Sequence, residues 1–304
     1  MTILTNFRTE RIPTTEVTLN VALGGSGPPL LLLHGYPQTH AMWHKIAPRL
    51  AADFTVIAPD LRGYGDSDKP PGDPEHATYS KRAMARDMAG LMTTLGFQRF
   101  AVAGHDRGAR VTHRLCLDYP ERVRRAAVLD IAPTYTMFAS ADKEFGDAYY
   151  HWFFLSQPYD LPERLIGAAP EYYLRAKIAR WSRNPGAFTE AALEEYRRCF
   201  CDPATIHATC EDYRAAASID LVHDAADLKR TLACPLLVLW GAKGFIGKKY
   251  DVLGVWRERA SDVRGRGLPC GHYLAEEAPE ETYSELRAFF LQPDGEPDPP
   301  ATLM

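Results

Sequence analysis

Long apolar runs are missing from this chain, and the simplest membrane readings go with them. No stretch of the 304 residues approaches the roughly 20 consecutive apolar residues of a membrane span. Met1 to Thr15 has no apolar core of signal-peptide length, so a cytoplasmic protein is expected. Paired cysteine spacing is missing too. Cys116, Cys199, Cys201, Cys210, Cys234 and Cys270 are scattered, and Cys199-Phe-Cys201 is too close for C-x-x-C, which points to free thiols rather than disulfides or metal ligands. Nor is there an excess of either charge: a net charge of −4 argues against nucleic acid or an anionic membrane as a general partner. Any anionic substrate has to be drawn by a local cationic site.

What is present is ordinary in bulk and informative in order. With 46% hydrophobic and 24% charged residues the composition is that of a globular protein, long enough for one large α/β domain with an inserted subdomain. Strand-like runs fall at 17–19, 30–33, 55–58, 100–103, 126–130 and 236–240, with helical stretches at 42–50, 80–95, 107–117 and 279–291. This alternation predicts an α/β fold, a mainly parallel sheet covered by helices on both faces. The block 135–219 breaks the alternation, with helical apolar spacing at 144–155, 170–181, 190–200 and 203–217. It is expected to be a helical cap on a core of 1–134 and 220–292, roofing the sheet edge where such sheets bind ligands. Residues 293–304, rich in Pro, Asp and Gly, are expected to be a disordered tail.

The chemistry centres on Gly104-His105-Asp106-Arg107-Gly108, which follows the strand-like run Phe100 to Ala103 and opens a helical pattern. Small residues at both ends suit a sharp strand-to-helix turn, a nucleophile elbow with aspartate in the central place. Serine there attacks carbonyl carbon; an ionised carboxylate is suited instead to displacing a leaving group from saturated carbon, giving an alkyl ester on the enzyme. Epoxides, alkyl halides and haloacids are all eligible on that ground. The second half-reaction needs a base, and Gly271-His272-Tyr273, just before the last helix, lies where this chain order puts it. The stretch after the strand at 236–240 reads Trp240-Gly-Ala-Lys-Gly-Phe-Ile and has no acid to orient that histidine, whereas Asp130 ends the preceding apolar run and takes the role.

His34-Gly35-Tyr36-Pro37 fits an oxyanion loop, with the backbone N–H groups of Tyr36 and Arg107 as donors. Arg107 and Arg110 are three apart on one helix face, where the helix dipole disfavours cations. Two guanidiniums beside the nucleophile suit a planar carboxylate held by bidentate hydrogen bonds. Arg114, a turn further on, is expected to be structural.

These residues resemble the haloacetate dehalogenases of the α/β-hydrolase superfamily. The likeness runs from His34 to His272 through Asp60-Leu-Arg-Gly-Tyr-Gly65, Gly104-His-Asp-Arg-Gly-Ala-Arg110, Val128-Leu-Asp-Ile-Ala-Pro-Thr-Tyr135, Tyr150-His-Trp152, Cys210-Glu-Asp-Tyr-Arg-Ala215 and Gly271-His272. The resemblance implies Asp106 as nucleophile, His272 as base with Asp130 as its partner, and Arg107 and Arg110 on the substrate carboxylate. It also implies a halide pocket of His151, Trp152 and Tyr213; on residue pattern alone these three read as cap packing. Hydrolysis of a haloacetate to glycolate and halide is then expected, by a homodimer without metal or organic cofactor. Two departures stand out: Tyr36 where relatives often carry phenylalanine, and a cationic stretch from Lys243 to Lys249 with no assigned role. An epoxide hydrolase using Tyr149, Tyr150 and Tyr213 is the rival enzyme, and a catalytically silent carboxylate-binding protein the rival from another class.

Overall fold

The computed structural model describes residues 3–293, so the tail expected from residue 293 lies almost wholly outside the described residues. A single sheet runs in the order β1 (Arg8–Pro13), β2 (Thr18–Gly24), β4 (Thr55–Pro59), β3 (Pro29–Leu33), β5 (Phe100–His105), β6 (Val123–Leu129), β7 (Leu236–Gly241), β8 (Val263–Leu268). β1 and β2 pair antiparallel, as do β2 and β4, and every pairing from β4 onward is parallel. The central strands are nearly continuous runs of Leu, Val and Ala because helices cover both faces and leave no face for a polar residue.

The edge strands were not foreseen. β1 is Arg-Thr-Glu-Arg-Ile-Pro and mostly exposed; β8 is Val-Arg-Gly-Arg-Gly-Leu. Both carry the charge, proline and glycine that protect an edge from further pairing, so they lack the apolar signature of their neighbours. The helix expected at 42–50 is a 3₁₀ turn, His40–Trp43, and a single α-turn, Ala47–Leu50. The helix expected at 144–155 breaks at Tyr149 into Lys143–Ala148 and Tyr150–Leu155. The strand read to Asp130 stops at Leu129, and Asp130 itself has a left-handed backbone with φ of 54°.

Register sets up the functional edge. Leu33 lies beside Gly104, His105 beside Leu129, and Leu129 beside Leu239, so β3, β5, β6 and β7 end at one level. The loops leaving those ends carry Tyr36, Asp106 and Asp130, and His272 follows β8. Apart from an isolated bridge at Leu232, the chain between Leu129 and Leu236 contains helices, turns and loops but no strand. Its helices Pro170–Trp181, Glu190–Phe200 and Pro203–Ala217 have the predicted bounds. Among the described residues no helix is long and apolar enough to cross a membrane.

Polar contacts tie the helical block to the sheet. The His272 backbone N–H donates to the Trp181 carbonyl at 3.2 Å, and Lys45 Nζ donates to the carbonyls of Ala187 and Glu276. Glu276 accepts from Tyr196 at 3.0 Å and from Gln38 at 2.5 Å, joining a helix of the block to the loop after β3. Burial pushes the Glu276 carboxyl up to about 8, against the pull of Tyr196 and Gln38. The folded protein thus keeps a proton that the unfolded chain releases near the ordinary 4.5, and this carboxyl makes stability fall as pH rises between those values. Glu276→Gln cannot titrate and is expected to shrink the difference in melting temperature between about pH 5 and about pH 8. Differential scanning fluorimetry checks this, and an unchanged difference would count against it.

Candidate active site

Asp106 leaves β5 and caps the helix Arg107–Asp118 with φ 47° and ψ −113°, a conformation that a non-glycine residue adopts only when its surroundings enforce it. The enforcement comes from close packing at both flanking glycines. A Cβ at Gly108 would lie 2.4 Å from the His34 carbonyl oxygen, and one at Gly104 2.4 Å from that of Gly108. Only bare backbone lets the helix lie this close to β3 and β5, which pushes the Asp106 side chain out over the sheet edge. The Tyr36 N–H donates to Asp106 Oδ1 at 3.1 Å. Arg107 opens the helix, so its N–H has no acceptor within it.

His272 Nε2 lies 3.8 Å from Asp106 Oδ2, and on its other side Nδ1 is 2.6 Å from Asp130 Oδ2. Asp130 Oδ1 accepts from the Gly241 N–H at 2.9 Å. The acidless stretch after Trp240 therefore still serves the histidine, through a backbone donor rather than a carboxylate. Trp181 meets the His272 ring edge-on at 4.7 Å and His105 lies tilted against it at 4.5 Å. Burial lowers the His105 imidazole to about 3, leaving it neutral. Burial also opposes a charge on His272, but the hydrogen bond and charge of Asp130, with the charge of Asp106, raise it above 6.5. Burial alone would raise the Asp106 carboxyl; His272, His105, Arg110 and Arg107 together hold it below its usual value, so it stays ionised.

Around this carboxylate lies a set of buried polar atoms with no partner. They include Arg107 Nη1, Arg110 Nε, both ring nitrogens of His151, Trp152 Nε1, the hydroxyls of Tyr36 and Tyr213, and His272 Nε2. The rings are neighbours: Tyr213 is 5.3 Å from Tyr36 and 5.4 Å from His151, while Arg107 lies over Tyr213 at 4.3 Å and Arg110 over Trp152 at 4.7 Å. The residues named from the sequence for the haloacetate site thus fall in one buried cluster, whereas Tyr150, named for the rival, is exposed. Burial, then Lys177, Arg107, His272 and Arg110, drive the His151 imidazole well below 6.5, so it is neutral with one N–H to give. An unpaired buried donor costs on the order of 1–3 kcal/mol, and a surplus of them is complementary to an anion.

The two arginines are not equivalent in their pairing. Arg107 spends its side-on edge on Asp212, through Nε to Oδ2 at 2.9 Å and Nη2 to Oδ1 at 2.5 Å, and keeps only Nη1. Arg110 gives Nη1 to the Ala132 carbonyl and the Thr134 hydroxyl, and Nη2 to the Met137 sulfur, a weak acceptor. Its Nε and Nη2 edge therefore faces no carboxylate. Arg114 pairs with Asp118, Asp224 and Asp227, away from the site.

A cleft of about 470 Å³ leads in between the helical block and the sheet edge and ends on His272 and Asp130. Trp181, Tyr149 and Phe245 line it, with Arg180, Arg183 and Lys248 among its charged residues. Lys248 comes from the unassigned cationic stretch, and its neighbour Lys249 pairs with Asp142 and Glu144. Sequence reasoning missed Asp212, although it lies in the quoted Cys210-Glu-Asp-Tyr-Arg segment. The usable signal was a run of charged residues on a helix that is buried from Ala208 to Ala216.

The alpha/beta hydrolase fold family model matches residues 28–279. A fluoroacetate dehalogenase from Burkholderia sp is 46% identical over 93% of this chain and 93% of its own length. A soluble epoxide hydrolase from Corynebacterium sp. strain C12 is 33% identical, covering 90% of this chain and 93% of its own. The crystal structure of ALR0039 from Nostoc sp PCC 7120 superimposes with a TM-score of 0.94 at 61% identity, covering 95% of this chain and 99% of that one.

A surplus of buried donors is the pattern that a small anion would satisfy, whatever reaction follows. At constant ionic strength, bromide and acetate are each expected to raise the melting temperature, by up to about 2.7 kcal/mol of added stability at a hundred times the dissociation constant. Arg110→Gln is expected to abolish the acetate effect and Trp152→Phe to weaken the bromide effect. Shifts that ignore both substitutions would mean the anions bind elsewhere.

Proposed function

This chain belongs to the alpha/beta hydrolase fold family, and we propose that within it the protein hydrolyses haloacetates to glycolate and halide. One observation carries the reading: the side-on edge of Arg110, with Nε unpartnered and Nη2 on the weakly accepting Met137 sulfur, has no carboxylate hydrogen-bonded to it among the described residues and lies beside an ionised, buried aspartate. Such an edge suits a carboxylate held in two hydrogen bonds. It would add nothing to the binding of a neutral substrate.

In the proposed mechanism the substrate carboxylate takes the Arg110 edge and the free Nη1 amino group of Arg107. An Asp106 oxygen attacks the adjacent carbon in line with the carbon–halogen bond, forming an ester as halide leaves with the bonding pair. Trp152 Nε1–H, the Tyr213 hydroxyl and the N–H of neutral His151 receive the halide, replacing the hydration that fluoride gives up most reluctantly. Esterification removes the Asp106 charge that helps hold a proton on His272. The imidazole is then free to take a proton from water attacking the Asp106 carboxyl carbon, while Asp130 stabilises the imidazolium. The N–H groups of Tyr36 and Arg107 stabilise the oxyanion; on its collapse the imidazolium returns its proton to the departing alkoxide, giving glycolate, and the second water proton is lost to solvent as the Asp106 carboxylate is regenerated. The reading treats 135–219 as the cap over this chamber. A homodimer and a cytoplasmic setting belong to it as well, the first by resemblance and the second because a small water-soluble anion needs no membrane.

The Corynebacterium relative favours a second reading, opening of an epoxide with phenols as acids. Of the tyrosines first considered for that role, Tyr213 is buried with a free hydroxyl, whereas Tyr150 is 40% exposed. Halide release from fluoro-, chloro- and bromoacetate beside diol formation from styrene oxide decides between them. Turnover of the epoxide alone would sink the haloacetate reading.

Single turnover in oxygen-18 water is expected to leave label in the peptide containing Asp106, His272→Ala to accumulate the ester, and Asp106→Ala to show no turnover. An unlabelled Asp106 peptide would mean that water attacks the substrate directly. His272 must be neutral to act, so kcat is expected to rise with pH through an inflection of that imidazole, which is held up by Asp130 throughout and by Asp106 until it is esterified. Asp130→Asn removes the larger of these influences and is expected to move the inflection to lower pH while lowering kcat by up to about 10⁴-fold. An inflection that stays put would assign it to another group.

A further inference from the structure

The ion network behind the elbow arginines takes no part in those steps. Asp212 is fully buried, and besides the two side-chain bonds from Arg107 its carboxylate accepts the Tyr64 hydroxyl at 2.7 Å and the Lys81 ammonium. Arg107 Nη2 also donates to the Asp212 carbonyl at 2.9 Å. Lys81 in turn approaches Asp220, with Nζ 3.5 Å from Oδ2 and its backbone N–H 2.8 Å from Oδ1. Arg107 and Lys81 are thereby matched by Asp212 and Asp220, two charges against two, and Arg110 stands outside this network, with the charge of Asp106 acting on it. The residue after Asp212 is Tyr213, whose ring lies under the Arg107 guanidinium, so one stretch of backbone places both.

We propose that Asp212 is the positioning residue of the carboxylate site. It occupies the side-on edge of Arg107, cancels its charge and aims its remaining amino group, Nη1, so that attraction for the anion falls to Arg110 and alignment to Arg107. The inference rests on the haloacetate reading. It explains why two adjacent arginines do not simply grip the substrate as tightly as they could: a second free guanidinium would strengthen binding of the ground state without favouring attack.

The test compares the whole protein with Asp212→Asn and Tyr64→Phe, measuring kcat with chloroacetate and glycolate affinity by calorimetry. Asp212→Asn releases the Arg107 edge toward the ligand, and is expected to bind glycolate several-fold tighter while kcat falls by about tenfold or more. Damage to packing alone would weaken both together, and that outcome, or an unchanged kcat, overturns the proposal. Tyr64→Phe removes one hydrogen bond from Asp212 without changing charge, and is read whether or not the first variant folds. It is expected to lower kcat about threefold with glycolate affinity within about twofold, and an unaltered kcat would again overturn the assignment. If the unchanged protein neither turns over chloroacetate nor binds glycolate, the haloacetate reading itself has failed.

Discussion

Charge taken out of water has to be answered by charge or by hydrogen bonds, and this constraint organises the centre of the molecule. Asp106, Asp130, Asp212 and Asp220 are buried together with Arg107, Arg110, Lys81 and His272. Each is fixed by a partner from a different part of the chain: β7 supplies the N–H for Asp130, the loop after β3 the N–H for Asp106, and the loop after β4 the phenol for Asp212. The network therefore assembles only when sheet and helical block are both in place. Folding and the readiness of the site are one event.

The fold contributes an edge and leaves the chemistry to the side chains placed on it. A dehalogenase and an epoxide hydrolase both align over nearly the whole chain, so neither the sheet nor the elbow tells them apart. On the haloacetate reading the local electrostatics do. An aspartate elbow flanked by neutralised arginines would be a general alkylation site; a guanidinium edge without a carboxylate bound to it would narrow it to substrates that bring their own negative charge.

How much of this was legible beforehand follows from the kind of signal each part carries. The central strands, the elbow, Asp130 and His272 could be read from the sequence because their signals are local: an apolar run that stops, a small residue on each side of a turn, a histidine before a terminal helix. The edge strands carried charge and glycine instead, and Tyr149, where the helix breaks, packs against Trp152, Trp181 and Phe245, contacts that no local pattern records. The occupied edge of Arg107 was out of reach for another reason. Its partner lies 105 residues away, and nothing at position 107 records that the pairing exists. Arg107 and Arg110 look alike in sequence and differ only in what folding brings to them.

The unpartnered donors around Asp106 have a meaning for evolution as well as for binding. A cluster of polar atoms sealed from water without acceptors is a place where the folded state is less stable than it could be. Apolar substitution at Trp152, Tyr213 or His151 would relieve part of that deficit, so selection for robustness alone would fill the chamber and silence it. On the haloacetate reading, that deficit is what keeps the chamber open to a small anion.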